Sequence, residues 1–152
     1  MGVSELTGEG LVLEIPTDIH SISGAVDYVL SRCSASEVSA RRLNLNFRVG
    51  LTEAIANAMM YGNGHDPSKS VVIEVVMGRD HVQATVRDQG SGFDPGSVPD
   101  PTRPEHLACS YGRGLFLMRE LLDELCFNDC GNEVTLILRA ESCSTFEGGA
   151  SA

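Results

Sequence analysis

The segment from Leu51 to Asn63, LTEAIANAMMYGN, constrains the fold of this chain more than any other stretch. Leu51, Ile55, Ala58 and Met59 recur at the three- and four-residue steps that build one apolar helix face. Glu53 and Asn57 lie one turn apart on a neighbouring stripe, where side chains at i and i+4 converge. A carboxylate beside an amide can hold a metal ion and accept a proton. Alone, an E-x-x-x-N spacing describes many solvated helix faces. Two motifs further along the chain give it meaning: D-Q-G-S-G at Asp88 to Gly92, then G-R-G-L at Gly112 to Leu115.

At 152 residues the chain can bury one sizeable core and is too short for two domains of usual size. With 21 acidic against 11 basic residues its formal net charge is −10. That balance argues against nucleic acid as a direct ligand, because phosphate binding needs clustered Lys and Arg. The longest apolar runs are strand-sized, and MGVSELTGEG lacks the basic and apolar blocks of a signal peptide, so no membrane association and a cytoplasmic location are expected. The five cysteines (Cys33, Cys109, Cys126, Cys130, Cys143) are odd in number and form no C-x-x-C. Reduced, mostly buried thiols are the expectation, with Cys109 an exception in a loop.

Taken in order, residues 1–10 read as a flexible tail, and Leu11 to Ile15 alternates as a half-buried strand closed by Pro16. Ile19, Ile22, Val26 and Val29 or Leu30 keep a helical period, with Thr17 or Asp18 as cap. Ser34-Ala-Ser-Glu37 has the form of a capping box opening one long helix, or two with a break, that ends near Gly62. Gly50, one turn before Glu53, implies a packing or ligand reason for a helix-interior glycine. Val71 to Met77 and His81 to Asp88 read as an antiparallel hairpin around Gly78-Arg79-Asp80. Val82, Ala84, Val86 and Asp88 share its core face, so Asp88 arrives facing inward at a strand end. Phe93 to Tyr111 holds four of the six prolines and has no period; it reads as a lid. Gly112-Arg-Gly114 opens an amphipathic helix with Leu115, Met118, Leu121 and Leu122 facing the sheet. Its start is suited to anions. Two further strands, Glu124 to Asn128 and Glu133 to Arg139, precede a flexible tail over 141–152. A single domain over 11–140 is expected.

An inward Asp, a Gly-bounded lid, a helix start suited to phosphate and a Glu/Asn pair are together satisfied by a purine nucleoside triphosphate. Asp88 accepts from an exocyclic amine, the turn at Gly112 to Leu115 takes phosphate oxygens, and Asn57 holds a Mg²⁺ that bridges them. No G-x-x-x-x-G-K-[ST] is present, which excludes a P-loop protein.

EAIANAMMYGN resembles the N-box, DQGSGF the G1 box and GRGLFLM the G2 box of the Bergerat-fold (GHKL, histidine-kinase-like) ATPases, the superfamily of gyrase, the heat-shock chaperone, MutL and sensor histidine kinases. The small size, D-x-G-x-G-F-D-P and the closing R-E-L-L-D-E-L are most similar to the anti-sigma-factor serine/threonine-protein kinases of the RsbW and SpoIIAB type. The resemblance spans roughly residues 11 to 140. It implies an α+β two-layer sandwich, a mixed, mostly antiparallel sheet with helices on one face. It implies that Asn57 is the Mg²⁺ ligand, that Asp88 recognises adenine, that Gly90 and Gly92 shape the pocket floor, and that Gly112, Arg113, Gly114 and Leu115 bind the phosphates of ATP. Glu53 falls where relatives carry the catalytic carboxylate. Asn132 follows Gly131 where many relatives have Thr; its amide can still hydrogen-bond at the adenine end.

The same resemblance implies an ATP-dependent serine/threonine-protein kinase and anti-sigma factor. Such a protein phosphorylates a STAS-domain anti-anti-sigma partner and sequesters an RNA polymerase sigma factor, and the resemblance leaves room for a homodimer. The alternative is an ATP-binding anti-sigma or partner-switch module with little or no kinase activity. A water-directed ATPase, or a stand-alone histidine-kinase-like catalytic domain, is a further rival, and no histidine (His20, His65, His81, His106) sits in a phospho-accepting helix pattern.

Overall fold

A computed structural model describes residues 2–6, 10–91 and 110–141. The expected lid over 93–111 and the tail over 141–152 lie almost wholly outside the described residues, as do Cys109 and Cys143. The strands are β1 (Gly2–Leu6), β2 (Gly10–Pro16), β3 (Ser70–Met77), β4 (His81–Arg87), β5 (Glu124–Phe127) and β6 (Glu133–Arg139). They form one six-stranded sheet in the order β1-β2-β3-β4-β6-β5. Where a mixed sheet is expected, every pairing among the described strands is antiparallel.

Alternation along each central strand separates the two faces of the sheet. Leu11, Leu13 and Ile15 of β2, Val71, Ile73 and Val75 of β3, Val82, Ala84 and Val86 of β4, and Val134, Leu136 and Leu138 of β6 are all buried. Their neighbours point away and carry polar pairs: Arg87 reaches Glu133 at 2.6 Å, and Thr85 meets Thr135 at 3.2 Å, each pair in direct register across β4 and β6. A sheet with one apolar and one polar face takes helices on the apolar side only.

Those helices are α1 (Ile22–Cys33), α2 (Ala40–Arg42), α3 (Arg48–Asn57) and α4 (Ser110–Leu121). π-helical stretches at Leu43–Phe47 and Ala58–Gly62 join α2 to α3 and extend α3, so residues 40–62 follow one helical path. Val26, Val29 and Leu30 from α1, Phe47, Leu51, Ile55 and Met59 from this path, and Leu115 and Met118 from α4 close the core over the sheet. The result is the expected α+β two-layer sandwich.

Several local expectations change. Residues 2–6 are strand, not a loose tail: Gly2 to Leu6 pairs with β2 from Glu14 back to Gly10. An edge strand is held by the backbone ladder of its neighbour and needs no apolar alternation, so composition does not announce it. The expected capping box at Ser34 opens no helix. Ser34 and Ser36 donate their hydroxyls back to Ser31 and Cys33 carbonyls and so close the end of α1, while Ser39 caps α2 by accepting from the Arg42 amide at 3.1 Å. Asp18 does cap, but it caps a 3₁₀ turn over Ile19–Ser21, which leaves Ile19 exposed and off the face of α1. Thr17 instead donates to the Lys69 carbonyl at 2.7 Å. Gly50 has a packing reason: a Cβ there would lie 2.9 Å from Leu122 Cδ1. Cys33 is buried as expected, with desolvation pushing its thiol up to about 12. Cys126 and Cys130 are exposed, against expectation. Cys126 lies on the outward side of an edge strand whose inward residues, Leu125 and Phe127, pack against the core, and Cys130 is in the following turn.

Candidate functional site

A cavity of about 140 Å³ opens between the α3 path and the sheet, lined by residues that include Asn57, Tyr61, Gly62, Asp88, Met118, Phe127, Gly131, Asn132 and Val134. Its walls are mostly apolar and a few polar groups converge on it, the usual composition of a small-molecule site.

Asp88 follows β4 directly and continues its buried face. Its carboxylate rests against the end of the helical path so closely that a Cβ on Gly62 would lie 2.2 Å from its Cγ. One of its oxygens accepts the Gly90 amide at 2.7 Å. The pKa of Asp88 is raised, chiefly because burial disfavours the charged form; the Gly90 amide and the charge of Lys69 work against that rise. Gly90 is itself tight against the helix end, since a Cβ there would meet the Gly62 carbonyl oxygen at 2.1 Å. Two glycines in mutual contact thus let the β4 end and the helix end close on one carboxylate.

Glu53 and Asn57 stand more than one turn earlier on the same helical path, both half-buried. They face the start of α4: a Cβ on Gly114 would lie 2.8 Å from Glu53 Oε2 and 3.5 Å from Asn57 Nδ2. The structure therefore brings Glu53, Asn57 and Gly114 together, and Asp88, Gly90 and Asn132 together further along. Asn57 lines the cavity; Glu53 stands behind it, against Gly114.

α4 begins at Ser110, two residues ahead of Gly112. The amides left free at a helix start are those of its first turn, so they belong to residues up to 112 and not to Arg113, Gly114 and Leu115. Arg113 is exposed, and Leu115 turns its side chain into the core. Gly92 lies outside the described residues.

On the β6 side, Asn132 lines the cavity and its carbonyl accepts the Asp88 amide at 2.9 Å. Its side-chain nitrogen reaches the Gly90 carbonyl at 3.4 Å, and its side-chain oxygen accepts from Asn128 at 2.7 Å. Asn128 organises the turn: its Oδ1 accepts the amides of Gly131 at 2.8 Å and Asn132 at 3.1 Å. Gly131 adopts φ 77°, the left-handed region that glycine enters without strain. Sequence reasoning passed over Asn128, Gly62 and Asn63. Asn128 carried a usable signal, an Asn three residues before a Gly, which favours an Asx-type turn. Gly62 and Asn63 read only as the end of a helix and the start of a turn, within the stretch that resembles the N-box.

Among the described residues no three His, Cys, Asp or Glu side chains gather as a metal cage. Mg²⁺ does not require one, because it keeps waters and takes one or two protein oxygens together with substrate phosphates. The amide oxygen of Asn57, at the cavity edge beside the Glu53 carboxylate, is donor chemistry that fits such an ion.

A family model described as a histidine kinase-like ATPase domain matches residues 15–138. Among curated proteins, the serine-protein kinase RsbW of Oceanobacillus iheyensis is 28% identical over 90 residues, covering 55% of this chain and 57% of the relative. The anti-sigma F factor of Geobacillus thermodenitrificans is 33% identical over 90 residues, covering 57% and 61%. That of Clostridium perfringens is 29% identical over 103 residues, covering 66% and 73%. The matched stretch thus spans less than two thirds of the first two relatives' own length.

Proposed function

Since the chain belongs to the histidine kinase-like ATPase domain family, we propose that it is an ATP-dependent serine/threonine-protein kinase and anti-sigma factor. In this reading it transfers the γ-phosphoryl group of ATP to a STAS-domain anti-anti-sigma partner and sequesters a sigma factor. The observation that carries the reading is the placement of Glu53 and Asn57 against Gly114, with Asn57 and Asp88 lining one cavity. The printed names of the relatives, serine-protein kinase and anti-sigma F factor, support it.

Adenine sits between the apolar walls with its exocyclic amine donating to Asp88, and Asn132 lies beside it. The phosphates run toward the first turn of α4, where the Gly112 amide and the Arg113 guanidinium serve them. Mg²⁺, held by Asn57, supplies charge neutralisation to the phosphates when bound. The partner's hydroxyl oxygen attacks the γ-phosphorus, the bond to the β-phosphate oxygen breaks, ADP leaves, and Glu53 takes the hydroxyl proton. Gly114 matters here because its missing side chain is what lets the Glu53 carboxylate sit where it does.

The test is incubation of the pure protein with γ-labelled ATP, Mg²⁺ and a STAS-domain protein from the same cell. Label on a partner Ser or Thr, lost in Glu53→Ala, is the expected result. Tight ATP binding with no transfer to any such partner would leave a nucleotide-gated binding module instead.

A further inference from the structure

We propose that Asn63 is a positioning residue for base recognition, acting through the backbone on Asp88; this rests on the adenine-binding role of Asp88. Asn63 is 2% exposed, the most deeply buried polar side chain among the described residues. It stands outside the cavity lining. Its Oδ1 accepts the Gln89 amide at 2.7 Å. That N–H belongs to the peptide plane joining Asp88 to Gln89, so the contact fixes the backbone from which the Asp88 carboxylate is aimed. Its Nδ2 donates to Thr17 Oγ1 at 2.9 Å and to the Ser70 carbonyl at 3.0 Å. Thr17 Oγ1 donates onward to the Lys69 carbonyl and so is left with a lone pair for Asn63.

Both amide protons and one acceptor site are therefore used, and the amide has a single orientation: turned over, its NH₂ would face the Gln89 N–H. The residues it joins lie just after β2, at the start of β3 and just after β4. Asn63 ties three strand ends to the end of the helical path. The π-helical stretch Ala58–Gly62 makes this reach possible, since the Asn63 amide closes onto the Ala58 carbonyl at 2.8 Å, five residues back. From the other side Asn132 accepts the Asp88 amide, so the turn is clamped across its width. A carboxylate whose backbone is held on both sides loses little freedom when it accepts a donor, which favours the ligand that offers one.

Inosine triphosphate is the discriminating probe, because it carries a carbonyl oxygen where ATP carries the amine. Calorimetry with Mg²⁺ should give wild-type protein a preference for ATP over inosine triphosphate of about tenfold or more, the scale of one hydrogen bond to a charged group. Asn63→Ala, in material whose circular dichroism matches wild type, should lose most of that preference. Thr17→Val keeps the side chain's volume while removing the acceptor for Asn63. It should reduce the preference partially, and it covers the case in which Asn63→Ala does not fold. A purely structural Asn63 would lower the melting temperature and leave the ATP-to-inosine ratio of folded protein unchanged, and that result overturns the proposal. Wild-type protein that binds neither nucleotide, or both equally, would instead bring down the adenine-binding role itself.

Discussion

Asp88 is the residue whose surroundings make the sharpest demand. Burial raises its pKa, so in the empty protein the protonated form is favoured at a higher pH than for an ordinary aspartate. A carboxyl raised in the folded state adds stability below its unfolded pKa and loses that contribution as pH rises through its folded pKa. Binding runs the other way, because the charged form is the stronger acceptor for the amine of adenine. ATP affinity should therefore decline as pH falls, beginning at a higher pH than an ordinary aspartate would give, and titration calorimetry at a series of acidic pH values reads this directly. Asp88→Asn should flatten the profile while binding weakly throughout. Glu53→Ala should bind ATP normally and transfer phosphate slower by about 10²- to 10⁴-fold, the span that a positioned general base contributes. Equal rates in a phosphotransfer assay would remove Glu53 from the mechanism. Asn57→Ala should lose the Mg²⁺-dependent part of nucleotide affinity, measured by calorimetry with and without the ion.

At the scale of elements, the site is a set of contacts between a helix end and strand ends that only glycines permit. Gly62→Ala puts a methyl group 2.2 Å from Asp88 Cγ, so the carboxylate has to move. ATP affinity should fall by about tenfold or more, since one charged hydrogen bond is lost, while circular dichroism stays near wild type. Gly114→Ala is the complementary case. Its methyl would meet the far end of the Glu53 side chain, so transfer should suffer more than nucleotide binding, a split that single-turnover kinetics against calorimetry resolves. Much at this scale was readable from the chain. The β3–β4 hairpin, the inward Asp88, the apolar face of α4 and the one-turn spacing of Glu53 and Asn57 all follow from periods of two and 3.6. The start of α4 was displaced because Ser110 and Tyr111 carry no apolar period, and β1 was missed because an edge strand is recruited by its neighbour's unpaired backbone groups.

At the scale of the whole molecule, one apolar sheet face and the helices packed on it make a single cooperative core that encloses the site along one side. Ligand that binds only the folded state adds RT ln(1 + [L]/Kd), about 2.7 kcal/mol at a hundredfold excess over Kd. For a chain of this size that should raise the melting temperature by about 5–10 °C with Mg²⁺-ATP, and by much less in Asp88→Ala. Phe47, fully buried at the junction of the π stretch and α3, reports on the core alone. Phe47→Ala should cost about 3–5 kcal/mol in urea unfolding, with any loss of ATP affinity in folded protein remaining small. The charge balance, the periodic faces and the order of the three Gly- and Asn-bearing motifs belong to the sequence, because each is local or short in range. Which glycine meets which carboxylate, and that Asn63 holds the turn bearing Asp88, were decided only by tertiary packing. Gly62 and Asp88 are far apart along the chain, and nothing in the spacing of residues carries a distance between a helix end and a strand end until the core has closed.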